Sequence, residues 1–155
     1  MICQMHRPEI LLGMRPSNCN RQSGCVAESI VTAELLKRDW VVSTPEGDYA
    51  PYDKIATKNK FIKKIQVKSS DSQRGSTYRW TMRSGARKTT VPNIEDIDIY
   101  VFVALRHQLF LIIPYDLIIG KKTFSFPLSN SCKSPWVMHV NAWGLLENKG
   151  YTDVI

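Results

Sequence analysis

A mixed α/β domain built round one central sheet is the fold class this sequence predicts, and three observations predict it. One amphipathic helical stretch precedes a meander of three strand-like segments. Two nearly uniform apolar runs, YVFVAL and LFLII, follow in the second half. No repeat, low-complexity tract or long linker divides the 155 residues, and a 43% apolar content is enough to bury a real core.

The elements follow in order. Residues 1–21 contain Pro8, Pro16, Asn18 and Asn20 without sustained periodicity, and read as an irregular arm before a domain spanning 22–155. From Ser23, SGCVAESIVTAELLKRDW reads as a helix. Ser23 serves as its cap, Val26, Ile30, Val31, Leu35 and Leu36 supply apolar surface, and Lys37 and Arg38 suit its C-terminal end. Glu28 and Glu34 both lie beside apolar neighbours on the wheel, so periodicity leaves open which of them turns inward. WVVS, YDKIAT and KFIKKIQVKS read as three strands, the last two joined by a hairpin turn at KN. After Gly75, TYRWTMRS reads as a further strand and GARKTTVPN as a loop. IYVFVAL and LFLIIP are buried strands joined at RHQ, YDLIIG is a short helix, and PWVMHVNAWGLLENKG adds a strand and a helical turn.

Charge narrows the partner. The net charge is +7, yet residues 54–88 alone hold eleven Lys and Arg against the single acid Asp71, so this segment carries +10 and the remainder −3. Such concentration is the electrostatic footprint expected of a polyanion-binding surface: nucleic acid is the first reading of it, and a merely solvated, soluble face the other. The apolar runs are strand-sized and the N-terminus lacks a long apolar segment, so no membrane partner is expected and a cytoplasmic, nucleoid-associated location is. Cys3, Cys19, Cys25 and Cys132 are unevenly spaced and read as reduced thiols. With His6 they lack the paired Cys-x-x-Cys spacing of a zinc site. There is no Gly-x-Ser-x-Gly turn and no phosphate-binding Gly loop; of the three histidines, His107 falls in a turn and reads as plain surface.

The chemistry-bearing residues gather round one strand. In FIKKIQVKSS, alternation sends Phe61, Ile65 and Val67 to one side and Ile62, Lys64, Gln66 and Lys68 to the other. Asp53 opens the preceding strand, and the hairpin returns the chain so that Gln66 and Lys68 arrive beside it. A carboxylate, an amide oxygen and the carbonyl of Val67 are hard donors of the kind Mg²⁺ takes while keeping several waters. Lys68 would lie against an attacking water and offset charge on phosphorus oxygens, as metal-assisted phosphodiester cleavage needs. Asp48, which follows Gly47 in a loop, is the main rival to Asp53; Glu95, Asp96 and Asp98 are further acids near the strands.

The string PYD (51–53), a later strand bearing QVK (66–68), and AES (27–29) in the helix before them resemble the PD-(D/E)XK nuclease superfamily over about residues 23–120. The resemblance implies a restriction-endonuclease-like αβββαβ core and Mg²⁺-dependent DNA hydrolysis, with Mn²⁺ able to substitute. It matches Asp53 to the metal-binding Asp, Gln66 to the second acidic position, Lys68 to the catalytic Lys and Glu28, rather than Glu34, to the supporting helical Glu. Gln66 departs from the usual Asp or Glu: the amide keeps one oxygen donor but removes a negative charge, which Glu28 could restore. With DIDIYVFVAL and FLIIP downstream, the Gln form is most similar to a small group that includes a bacterial intron-encoded homing endonuclease.

Downstream, RGSTYRWTMRSGARKTT interleaves Arg74, Arg79, Arg83, Arg87 and Lys88 with Tyr78 and Trp80. Alternation puts Arg79, Thr81 and Arg83 on one face and Tyr78, Trp80 and Met82 on the other; the aromatics read as core and the arginines as DNA contacts, with a basic but idle hairpin as the alternative. The expected function is a double-strand endonuclease of homing type, with a Holliday-junction resolvase or restriction enzyme as neighbouring readings. One active site cuts one strand, so a homodimer or homotetramer is expected. A DNA-binding module that has lost cleavage is the reading of another class, which Gln66 invites.

Overall fold

The α-helix Cys19–Leu36 (α1) belongs to a computed structural model that describes residues 19–47, 49–71, 73–82, 96–128 and 133–147. Ala27, Val31 and Leu35, four residues apart, form its fully buried stripe. The helix starts four residues before the predicted cap. Ser23 is therefore an interior, buried position: residues 19–22 include no Gly or Pro to stop the helix, and a Ser marks a helix start only where the chain before it turns away. At the other end Asp39 takes a positive φ of 62° and Trp40 N–H returns to the Leu35 carbonyl at 3.2 Å. Glu34 is bound there by Lys37 (2.8 Å) and Arg38 (2.6 Å), whose hydrogen bonds hold its carboxyl below the ordinary range.

Among the described residues eight strands follow: β1 (Val41–Ser43), β2 (Lys54–Lys58), β3 (Phe61–Ser70), β4 (Gln73–Arg74), β5 (Thr77–Thr81), β6 (Ile99–Ala104), β7 (Leu109–Pro114) and β8 (Thr123–Pro127). Five of them make the main sheet in the order β1-β2-β3-β6-β7. Neighbours are antiparallel except β3 and β6, which run parallel, so the sheet is mixed, as expected. The β2–β3 turn falls at Asn59–Lys60, one residue later than predicted, because Asn59 takes the positive φ (53°) that asparagine tolerates. RHQ and YDLIIG both settle as single 3-10 turns, Leu105–His107 and Tyr115–Ile118.

A second sheet, β4-β5-β8, is the main feature the sequence reading did not anticipate. Its Tyr78, Trp80, Phe124 and Phe126 pack against Tyr100, Phe102, Leu111 and Ile113 of the main sheet, while α1 covers the opposite face. The layers are helix, main sheet and small sheet. All six residues of β6 are buried, which explains why that strand is apolar throughout. The implied αβββαβ order puts a second helix between the third strand and the parallel one. The described part of that connection holds β4 and β5, and residues 83–95 lie outside the described residues.

The tail forms two 3-10 helices: Pro135–His139 in place of the predicted strand, and Trp143–Glu147 as the predicted final helical turn. What remains of the strand is one bridge, Leu111 to Val140, reinforced by Asn141 N–H on the Phe110 carbonyl (2.8 Å) and by His139 Nδ1, 3.1 Å from the Ile112 carbonyl. Together these lie along the outer edge of β7. Cys25 is a free, exposed thiol; Cys3, Cys132 and the side chain of Cys19 lie outside the described residues, as does 1–18 of the predicted arm. Among the described residues no helix is long and apolar enough to cross a membrane.

Trp80 joins the two sheets: it is buried, and its indole N–H donates to the Val103 carbonyl at 3.3 Å. Trp80→Ala is expected to cost about 3–5 kcal/mol, read as a lower midpoint in urea denaturation.

Candidate active site

The site begins where two strands part. β2 and β3 pair from Lys58↔Phe61 to Lys54↔Ile65, and the Asp53 N–H makes the last backbone bond, to the Ile65 carbonyl at 2.9 Å. The next N–H on that edge of β3 belongs to Val67, and a buried backbone donor needs a partner. Asp53 supplies it: its Oδ2 accepts from Val67 N at 2.7 Å and from Gln66 Nε2 at 2.6 Å. The same Nε2 stands 3.5 Å from the Val67 carbonyl oxygen. The other edge of β3 is taken by β6, with Gln66 opposite Tyr100 and Lys68 opposite Phe102. Ile65 and Val67 join the core under α1, and Gln66 is buried, as strand alternation predicts for opposite faces.

Burial pushes the Asp53 carboxyl above the usual carboxylate range, and the Glu28 charge pushes it the same way. The Val67 N–H, the Lys68 charge and the Gln66 amide draw it back. Asp53 thus feels Glu28 and Lys68 as well as its two hydrogen-bonded partners. Four sequence-predicted residues, Glu28, Asp53, Gln66 and Lys68, and the backbone of Val67 come to one region.

Lys54 is the residue that sequence reasoning missed. Its Nζ donates to Glu28 Oε2 at 2.9 Å and to Thr44 Oγ1 at 3.1 Å, and its side chain is only 8% exposed against 35% for Glu28. It was hidden inside a run of eleven cations. The usable signal was alternation: Ala56 faces the core, so Lys54, two residues earlier, must face α1 as well. A lysine kept there needs a carboxylate from the helix, which selects Glu28 over Glu34 on physical grounds.

The other acids divide cleanly. Asp98 extends the β3–β6 pairing, its N–H on the Lys64 carbonyl (2.9 Å) and its Oδ2 on Lys64 N (2.6 Å). Glu34 serves the end of α1, and Asp48 and Glu95 lie outside the described residues. Arg74 and Arg79 are exposed on the small sheet while Tyr78, Trp80 and Met82 are buried, the division that alternation predicts; Arg83, Arg87 and Lys88 lie outside the described residues. His107 is exposed but is more than plain surface, because its Nδ1 shares a hydrogen bond with the buried Tyr78 hydroxyl at 2.8 Å.

A carboxyl whose folded pKa is raised makes the folded state bind protons more tightly than the unfolded chain, so its contribution to stability falls as pH rises through that value. Asp53→Asn keeps an oxygen for Val67 and Gln66 but removes the charge. Without added metal it is expected to raise the melting temperature at pH 7, and the gain should vanish below about pH 4, where Asp53 is protonated in both states.

The sequence profile of the PD-(D/E)XK endonuclease family matches residues 19–144. Among solved structures, a bacterial homing endonuclease, I-Ssp6803I, shares the fold with a TM-score of 0.75 at 23% identity, covering 86% of this chain and 96% of that one. A Holliday junction resolvase, Hjc from the archaeal hyperthermophile Archaeoglobus fulgidus, aligns with a TM-score of 0.46 at 15% identity, over 67% of this chain and 83% of the other. No curated protein matches. The profile match runs from the first residue of α1 into the last 3-10 helix and takes in Glu28, Asp53, Gln66 and Lys68 on the way, so the chain belongs to the PD-(D/E)XK endonuclease family.

Proposed function

We propose that the chain is a Mg²⁺-dependent endonuclease that hydrolyses phosphodiester bonds of double-stranded DNA, of the site-specific homing type. The observation that carries this reading is the convergence on Asp53 Oδ2 of Gln66 Nε2 and Val67 N, at 2.6 and 2.7 Å, within reach of the Lys68 charge. Among the described residues no group of three or more His, Cys, Asp or Glu gathers. The donors at this point are carboxylate, amide and carbonyl oxygens, a hard set that suits Mg²⁺, which needs only one or two carboxylates and keeps water in its remaining positions.

Asp53, Gln66 through Oε1, Val67 through its carbonyl and Glu28 would hold the ion, with Mn²⁺ an acceptable substitute. Bound there, Mg²⁺ supplies a water of lowered pKa and positive charge against the phosphoryl oxygens. The Val67 N–H fixes the Asp53 carboxyl and favours its charged form against the cost of burial. Glu28, steadied by Lys54, returns the negative charge that an amide at position 66 lacks. The Lys68 ammonium stabilises charge that develops on the scissile phosphate.

The exposed Arg74 and Arg79 extend a cationic surface on the small sheet that suits phosphate contact or guanine readout in the major groove. Two copies, as a homodimer or within a homotetramer, would cut both strands of a pseudo-palindromic site. Such an enzyme would work on cellular DNA in the cytoplasm.

Incubation with Mg²⁺ and three substrates tests the reading: plain plasmid, plasmid carrying a cloned intron-insertion site, and a four-way junction. A single discrete cut at the insertion site is expected. A cut confined to the junction makes the enzyme a resolvase, and intact DNA binding without nicking in Mg²⁺ or Mn²⁺ makes it a binding module. Asp53→Ala and Lys68→Ala should each lower cleavage by about a hundredfold or more while DNA binding persists. For the cationic surface, Arg79→Ala should weaken association with all sequences alike and reduce the slope of log affinity against log salt by about one.

A further inference from the structure

An amide at position 66 raises a problem that a carboxylate does not have. One end of it attracts a cation and the other repels it, so its orientation must be fixed. In the structure Gln66 presents the repelling end: Nε2 lies 2.6 Å from Asp53 Oδ2 and 3.5 Å from the Val67 carbonyl, between two of the oxygens assigned above to the ion. That is the sensible arrangement beside a bare carboxylate, which takes a donor. Offering Oε1 instead requires the amide to turn, and its N–H groups then need an acceptor away from Asp53.

The neighbouring strand carries a residue that could supply one. Tyr100 is the register partner of Gln66 on β6, so the two side chains are neighbours on one face of the sheet. The Tyr100 ring is 0% exposed and is held by stacking on Phe102 (centroids 5.5 Å apart) and by Tyr115 (5.7 Å). Its hydroxyl is nevertheless a buried polar atom with no hydrogen-bond partner among the described residues. A tyrosine hydroxyl is neutral near pH 7 and has lone pairs to offer. A buried hydroxyl without a partner destabilises a fold, and phenylalanine would fill the same space without that cost.

We propose that Tyr100 is a positioning residue for Gln66: its hydroxyl oxygen accepts an N–H of the turned amide and thereby holds Oε1 toward the divalent ion. The inference rests on the metal-binding reading of the site. Tyr100 touches neither ion nor substrate in this scheme; it selects which end of its neighbour does.

A double-mutant cycle of Tyr100→Phe with Gln66→Glu, read as Mg²⁺ affinity by calorimetric titration without DNA, tests it. In the parent background Tyr100→Phe should weaken Mg²⁺ binding about fivefold, the loss of one orienting hydrogen bond. In the Gln66→Glu background the same change should alter affinity by less than about twofold, because the two oxygens of a carboxylate are equivalent. Ion-free Tyr100→Phe should melt at the parent temperature or above it. Equal losses in both backgrounds, no loss in either, or a lower ion-free melting temperature would overturn the proposal. If the parent takes up neither Mg²⁺ nor Mn²⁺, the metal reading fails and this inference with it; uptake by the parent with an additive cycle sinks the inference alone.

Discussion

Everything at the site depends on the parting of β2 from β3. While two strands pair, their backbone groups satisfy one another and no side chain is needed at the seam. Once β2 bends off at Asp53, the amide of Val67 must be satisfied by something else, and the carboxylate that follows the bend is the nearest acceptor. The requirement is backbone hydrogen bonding, but its effect is electrostatic: it retains a half-buried negative charge at the edge of the main sheet, with the Val67 carbonyl beside it. Gln66 and Lys68 flank Val67 along β3 and therefore arrive at the same place without further instruction.

The charges around this point are arranged in opposition. Asp53 and Glu28 repel one another, and burial makes ionised Asp53 still less comfortable. Glu28 is relieved by Lys54, which is itself buried enough to require the pairing. Asp53 has hydrogen bonds and the charge of Lys68, which do not fully offset its burial. The outcome is a carboxyl whose partners do not fully offset its burial, in contrast to Glu34, whose hydrogen bonds to Lys37 and Arg38 hold its carboxyl below the ordinary range.

Much of this was legible in the sequence. The helix, the meander, the two apolar strands and the sides taken by Phe61, Ile65, Val67, Tyr78, Trp80 and Met82 all follow from periodicity, because each lies in an element with one strongly buried face. The second sheet was not legible. Alternation marked Tyr78 and Trp80 as core but could not say which core, and β8, with TFSFP, is too short and too near proline to be separated from a loop. Lys54 escaped because its charge was counted with its neighbours, whereas its direction was decided by Ala56 two positions on. The helix start was misplaced by Ser23, where a residue type favoured at caps sits in an interior turn. His107 looked idle because its partner, Tyr78, lies 29 positions away in sequence.

The coverage of β7 has a consequence for how copies of this chain can meet. With Val140 and Asn141 bonded along it, the outer rim of that strand has part of its ladder already occupied. The opposite rim is β1, whose three residues present roughly 10 Å of backbone. A main sheet continued from one molecule into another would therefore have room for only a few interstrand bonds among the described residues, so a lasting union would have to draw on other surfaces.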